Sequence, residues 1–301
     1  MSPVPGSGVL TPARPQRAAF VAVAPPYDLR RTLVSGQCFR WTVTADGAHG
    51  VVGGALAYVW QRDGGLEIAQ HGSAAAPEHL VRHLGADQPL LAIEATLARD
   101  AVIRRLLPYT SGIALMRQDP WECLVSFVIS AFNNIPKIQM SVRALARRFG
   151  QRVAPGSEAW TFPSPERLAE ASDAALRRCV LGYRAPYLRA LARLVARGDI
   201  DLPAIAARPF DEARQALLAL PGVGEKVADC VLLFGFGRHE AFPVDVWVQR
   251  AVEQWYRRGR TTTPRDIRAW ARDRFGVLAG YAQQHLFAGA REAGRARGVT
   301  P

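Results

Sequence analysis

The stretch LLALPGVGEKVADCVLLFGFG, residues 217–237, breaks two apolar runs of helical spacing with a short Pro- and Gly-rich turn. Pro221 cannot extend a helix that ends near Leu220, because its ring removes an N–H and clashes with the preceding turn. Gly222 and Gly224 permit positive φ and leave their amides uncovered by any Cβ. The predicted unit is helix, tight hairpin, helix over 211–237. Those amides and the N-terminus of the second helix make an anion site suited to a phosphate. Such a unit grips a nucleic-acid backbone without reading its sequence; an ordinary helix–helix turn is the alternative.

Directly after the glycines stands Lys226. Of 38 basic residues only two, Lys137 and Lys226, are lysine; the rest are arginine. An arginine does not deprotonate in a protein, whereas a lysine amine can lose its proton and act as a nucleophile. Position 226 is therefore a candidate for chemistry. Lys137 alone is as readily a chance survivor of an arginine-rich composition.

The formal charge of +12 favours a polyanionic partner, most simply nucleic acid. No apolar run is long enough to span a bilayer, so a membrane partner is not expected. No secretory leader is visible, and a cytoplasmic, nucleoid-associated location is expected. Cys38, Cys123, Cys179 and Cys230 lie far apart, without the spacing of a zinc knuckle or iron–sulfur cluster. They read as free thiols, and no metal or cofactor is expected.

Residues 1–17 are Pro- and Gly-rich and basic, a disordered tail by composition. From about Phe20 to Gln70 the segments FVAVA, CFRWTVT, HGVVGG, LAYVW and LEIAQ alternate like strands between Pro, Asp-Gly and Gly-Gly turns. Helical periodicity follows near 88–107, 120–131, 135–149, 165–180, 184–197, 210–219, 225–237, 245–257, 264–275 and 280–293. The expected fold is α+β: an N-terminal antiparallel sheet domain, 18–110, followed by an all-helical body, 111–295.

Nineteen residues after Lys226, FPVDVW places Asp245 where a helix begins. That position suits an N-cap. A capping carboxylate near an amine also suits base excision, where it stabilises positive charge on a sugar and helps deprotonate a lysine. Both roles can hold together. An amine of ordinary pKa about 10.4 needs desolvation or neighbouring charge to be nucleophilic at neutral pH.

LPGVGEKVADC followed by FPVDV resembles the helix-hairpin-helix-Gly/Pro-Asp superfamily of DNA glycosylases. SGQCFRW at 35–41, DPWECLVSFVISAFNNIPKI at 119–138, LGYRAPYL at 181–188 and YAQQHLF at 281–287 are similar to its 8-oxoguanine branch. The endonuclease III and adenine-glycosylase branches carry a C-terminal four-cysteine cluster that this chain lacks. The alkylbase branch typically lacks the hairpin lysine that this chain has. The resemblance implies a bifunctional glycosylase and abasic-site lyase acting, usually as a monomer, on duplex DNA that holds a damaged base. Lys226 would attack C1′ and form a Schiff base that undergoes β-elimination, with Asp245 assisting. Amides at Gly222, Gly224 and Val227 would hold phosphates. Cys230, one helical turn from Lys226, would stack on the flipped base opposite Phe287. Gln283, one turn before Phe287, would bond its Watson–Crick edge, and the Gly36 carbonyl would accept the extra N7–H of 8-oxoguanine. Without the other motifs, Cys230 and Phe287 read equally as helical core.

The opposite-strand reader departs from the family, which often uses an Asn and two arginines against the estranged cytosine. Tyr183 and Arg184 match the intercalating aromatic and one arginine. Phe132 stands where the first Asn falls, and Lys137 where an Arg is expected; Asn133 and Asn134 remain and shape the turn. A Phe cannot donate to a base edge and Lys lacks the bidentate fork, which puts strict cytosine preference in doubt. Trp247 replaces a phosphate-contacting His. Two other functions fit parts of the pattern: excision of alkylated bases by the same fold, and DNA binding without chemistry.

Overall fold

The computed structural model describes residues 18–72 and 76–296; the tail expected at 1–17 lies outside them. Five strands form one antiparallel sheet: β1 (Ala19–Ala22), β2 (Thr42–Val43), β3 (Ala48–Val52), β4 (Ala55–Arg62) and β5 (Gly65–Gly72), in the order β1-β5-β4-β3-β2. Period-two alternation splits β4 and β5 between two faces. Ala57, Val59, Leu66 and Ile68 join the main core, while Tyr58, Trp60 and Ala69 make a small second cluster on the other side. CFRWTVT is the one strand expectation largely corrected: only Thr42–Val43 pairs. Its first residues follow a short helix, Leu29–Val34, and turn inward, burying Cys38, Phe39 and Trp41 in the core.

The helical part begins at Pro77 and is organised round Pro120–Ser130. Asp119 accepts from the Glu122 N–H and Pro120 occupies the first helical position, so this start is set locally. Every residue from Trp121 to Ser130 except Glu122 is buried. A helix apolar all round belongs at the centre of a body. The Ile135–Phe149 helix and the hairpin helix pack against it.

Two expected helices are divided. The segment 88–107 breaks into Leu90–Leu97 and Ala101–Thr110, because Asp100 turns its carboxylate back on the Val102 and Ile103 amides. The segment 165–180 breaks into Pro165–Ala169 and Asp173–Arg177, with Ser172 capping the second. The stretch 225–237 runs as α-helix over Glu225–Cys230 and widens to a π-turn over Val231–Gly235. Among the described residues no helix is long and apolar enough to cross a membrane.

Candidate active site

The hairpin has the conformation its glycines suggest. Gly222 sits at φ +76°, and a Cβ there would fall 2.8 Å from the Tyr187 Cβ. Only glycine fits that turn without strain. Gly224 caps the second helix in extended conformation, its carbonyl accepting from Ala228 N–H, and faces open space. Val227 is buried beneath. Behind the turn, the buried Asp229 carboxylate accepts from Arg214 at 2.8 Å and faces Arg268 at 3.7 Å. Arg268 also pairs with Glu225. These bonds tie the lysine-bearing helix to the Phe210–Leu218 and Pro264–Phe275 helices on either side.

Lys226 is half-buried in the first turn of that helix. Its amine donates to Ser130 Oγ at 2.9 Å and lies 4.8 Å from the centre of the Phe127 ring. The Ser130 hydroxyl gives its own proton to the Phe127 carbonyl at 2.6 Å, which leaves its lone pairs for the amine. Cys230 is buried one turn below, with its thiol pushed up to about 12 chiefly by burial, against the pull of the Lys226 charge. It is a neutral, apolar surface. The Cys123 thiol approaches the Cys230 carbonyl from the central helix.

Asp245 caps Val246–Tyr256, accepting from Val248 N–H at 2.8 Å. Burial raises its pKa above the ordinary carboxylate value; the amide bonds and the charges of Lys226 and Arg291 oppose that shift. Cap and charge partner are thus one carboxylate. Trp247 lies half-buried in the first turn of the same helix.

The remaining expected base-binding residues come from the two ends of the chain. Gly36 follows the Leu29–Val34 helix at φ +84°, and a Cβ there would lie 3.0 Å from Phe287 Cε1 and 3.3 Å from Ile135 Cδ1. Phe287 and Gln283 share one face of the Ala279–Ala296 helix. Gln283 is buried, its Oε1 accepting from the neighbouring Gln284 amide at 2.9 Å. Arg291, a turn beyond Phe287, covers that ring at 5.4 Å and donates to the Val34 carbonyl at 3.2 Å. Gly36, Phe287, Arg291, Asp245, Lys226 and Cys230 therefore form one connected neighbourhood.

Residues 125–275 match the HhH-GPD superfamily of base excision DNA repair proteins, and residues 21–124 match the 8-oxoguanine DNA glycosylase N-terminal domain. The chain belongs to the 8-oxoguanine glycosylase branch of that superfamily. An Arabidopsis thaliana relative named N-glycosylase/DNA lyase OGG1 is 33% identical over 85% of this chain and 75% of its own length. The solved structure of MBOgg1 in complex with a low-affinity DNA ligand superposes with a TM-score of 0.86 at 34% identity, covering 92% of this chain and 99% of that one. The Clostridium acetobutylicum 8-oxoguanine glycosylase/lyase, in complex with duplex DNA holding cytosine opposite 8-oxoguanine, gives 0.83 at 30% identity over 89% and 92%.

The opposite-strand candidates of this family member sit on two adjoining turns. Asn134 caps the Ile135–Phe149 helix through Lys137 N–H, and Asn133 donates to the Ile129 carbonyl, so both amides hold the turn. Lys137 is exposed one turn into that helix. Tyr183 is 56% exposed. Arg184 is buried, and its guanidinium donates to the Ala131 and Phe132 carbonyls while lying 4.4 Å from the Tyr183 ring. Sequence reasoning missed Ser130, Phe127 and Arg291. The first two are ordinary members of an apolar helix until the fold brings position 226 across 96 residues to them. Arg291 carried a local signal, its i,i+4 spacing from Phe287.

Proposed function

We propose that this chain is a bifunctional DNA glycosylase and abasic-site lyase that removes 8-oxoguanine from duplex DNA in base excision repair. The observation that carries this reading is the Lys226 amine, directed by Ser130 into the neighbourhood shared by Gly36, Phe287 and Asp245. The names of the Arabidopsis and Clostridium relatives support it.

The Lys226 Nζ forms a bond to C1′ as the glycosidic bond breaks. The base leaves with that electron pair and takes up a proton. Loss of the amine protons and opening of the sugar give a Schiff base. Removal of a C2′ proton then expels the 3′ phosphate, nicking the strand 3′ to the lesion, and hydrolysis of the imine returns the lysine. Asp245 opposes the positive charge that grows on the sugar and accepts a proton from the amine. The extruded base lies between the neutral Cys230 thiol and the Phe287 ring. Gln283, parted from Gln284, bonds its Watson–Crick edge, and the Gly36 carbonyl accepts N7–H. Extrusion costs a few kcal/mol of unstacking. Amides at Gly222, Gly224 and Val227 hold the backbone, and Asn133, Asn134, Lys137, Tyr183 and Arg184 lie at or behind the opposite strand.

On this reading residues 18–110 form the N-terminal domain and 111–295 the catalytic body of a monomer that works on DNA in the cytoplasm. Borohydride should trap a covalent adduct with an 8-oxoguanine duplex, and Lys226→Gln should abolish it. Trapping by the variant at the wild-type level would remove Lys226 as nucleophile. Excision of alkylpurines with 8-oxoguanine untouched would move the chain to another substrate.

A further inference from the structure

Gln283, Gln284 and His285 are consecutive and all buried in the Ala279–Ala296 helix, with Tyr281, Ala282 and Leu286 packed into the core on either side. Glutamine seldom occupies such positions, because a polar group left unpaired there keeps its full desolvation cost. His285 is accounted for: its Nδ1 meets Thr110 Oγ1 at 2.8 Å, on the Ala101–Thr110 helix. Gln284 is not. Its Nε2 donates to Gln283 Oε1 at 2.9 Å, while its own Oε1, in a residue 3% exposed, has no partner among the described residues. An orphaned acceptor at that depth calls for a donor.

Its position says which donor. Gln283 and Gln284 precede Phe287 by four and three residues, so both lie one turn from that ring on the helix face that carries it. Their heads touch, which puts the free carbonyl within one amide's length of the group proposed to bond the Watson–Crick edge. When Gln283 leaves Gln284 for the base, both ends of the Gln284 amide stand unpaired. A carboxamide is a flat donor–acceptor fork that pairs with an adjacent donor and acceptor on a base. Gln283 takes O6 and N1–H of 8-oxoguanine. The next such pair round the same ring is the 2-amino N–H and N3, which match Gln284 Oε1 and Nε2.

We infer that Gln284 is a second reader of the extruded base: it accepts the 2-amino N–H at Oε1 and donates to N3 through Nε2, which restricts the pocket to 2-amino-6-oxopurines. The inference rests on the glycosylase reading and narrows its substrate class. A base with hydrogen at C2 leaves the Gln284 carbonyl as orphaned as it is in the free protein. A site built to pair a group rejects the analogue that lacks it.

The test compares single-turnover excision of 8-oxoguanine and 8-oxohypoxanthine, which differ only in the 2-amino group, from otherwise identical duplexes. Wild type should prefer 8-oxoguanine by about tenfold or more, the size of one buried group left unpaired. Gln284→Met and Gln284→Leu remove one hydrogen bond and one orphaned carbonyl together, so both should melt close to the wild-type temperature. In both, the preference should fall to about threefold or less through slower 8-oxoguanine excision, because no fork remains to reward the 2-amino group. A preference unchanged in both variants, whether through equal loss on the two bases or through none, would overturn the inference and leave Gln284 as a prop for Gln283. Excision of both bases at one rate by wild type would also overturn it, with the glycosylase reading intact. Duplex binding by Lys226→Gln, with and without Gln284→Met, repeats the comparison without the chemical step. If wild type excises neither base and this binding preference persists, the glycosylase reading fails and the second reader stands.

Discussion

The Lys226 amine and the Ser130 hydroxyl meet at 2.9 Å, and the direction of that bond is fixed because Ser130 spends its own proton on the Phe127 carbonyl. Ser130 therefore acts as an acceptor that aims the amine. Ser130→Ala should leave the helix intact, since alanine is the better helix former. A hydrogen bond involving a charged group contributes about 1.5–3 kcal/mol, so borohydride trapping should slow roughly tenfold or more. Trapping kinetics with unchanged thermal stability check this; an unaltered rate would show that the bond is incidental.

Asp245 combines two tasks that substitution can separate. Asn caps helices as well as Asp, so Asp245→Asn should keep Val246–Tyr256 in place while removing the charge, whereas Asp245→Ala should also cost about 1 kcal/mol of stability. Burial raises the carboxyl pKa above its ordinary 3.8. The ionised form is the one proposed to work, so the acidic limb of the pH–rate profile should lie above 3.8 and vanish in Asp245→Asn. For stability the sign is opposite. A raised folded pKa favours the protonated native state, and that contribution is lost as pH rises through the folded value. Denaturation of wild type and Asp245→Asn across acidic pH measures it.

Much of this was legible because it is written locally. The hairpin announces itself through Pro221 and two glycines, and Asp245 through its place before a helix. The sheet's alternation is equally plain in LAYVW and LEIAQ. What escaped depends on distant packing. Asp100 broke a helix that periodicity alone joined: its carboxylate caps the amides after it while Tyr256 and Arg274, far along the chain, hold it in place. CFRWTVT has strand composition, yet Phe39 and Trp41 do more for the fold as core than as pleat. Arg184 matched a base-reading motif, and only the folded turns reveal that its donors are already committed.

The ion-pair cluster behind the hairpin should be structural in its effect. Asp229 is 1% exposed and compensates Arg214, itself 14% exposed along its side chain. Removing one member of a buried pair strands the other charge, at a cost of about 3–5 kcal/mol. Asp229→Ala should lower the melting temperature accordingly and reduce all activities together. A selective loss of excision with full stability would instead give Asp229 a direct part in positioning Lys226.

Gly36 offers the sharpest separation of base recognition from chemistry. Alanine there must adopt φ +84° and set its Cβ 3.0 Å from the Phe287 ring edge. The backbone strain alone costs about 1–2 kcal/mol for an L-residue. The ring must also give way, and with it the stacking surface against which Arg291 lies. An abasic site carries no base to stack, so Lys226 should still form its Schiff base there. Gly36→Ala should thus lose 8-oxoguanine excision by about a hundredfold, the combined size of a lost stack and a misplaced hydrogen bond, while incising preformed abasic sites within about threefold of wild type. Parallel assays on the two substrates decide it. Equal loss on both would mean that the glycine supports the whole site rather than the base pocket.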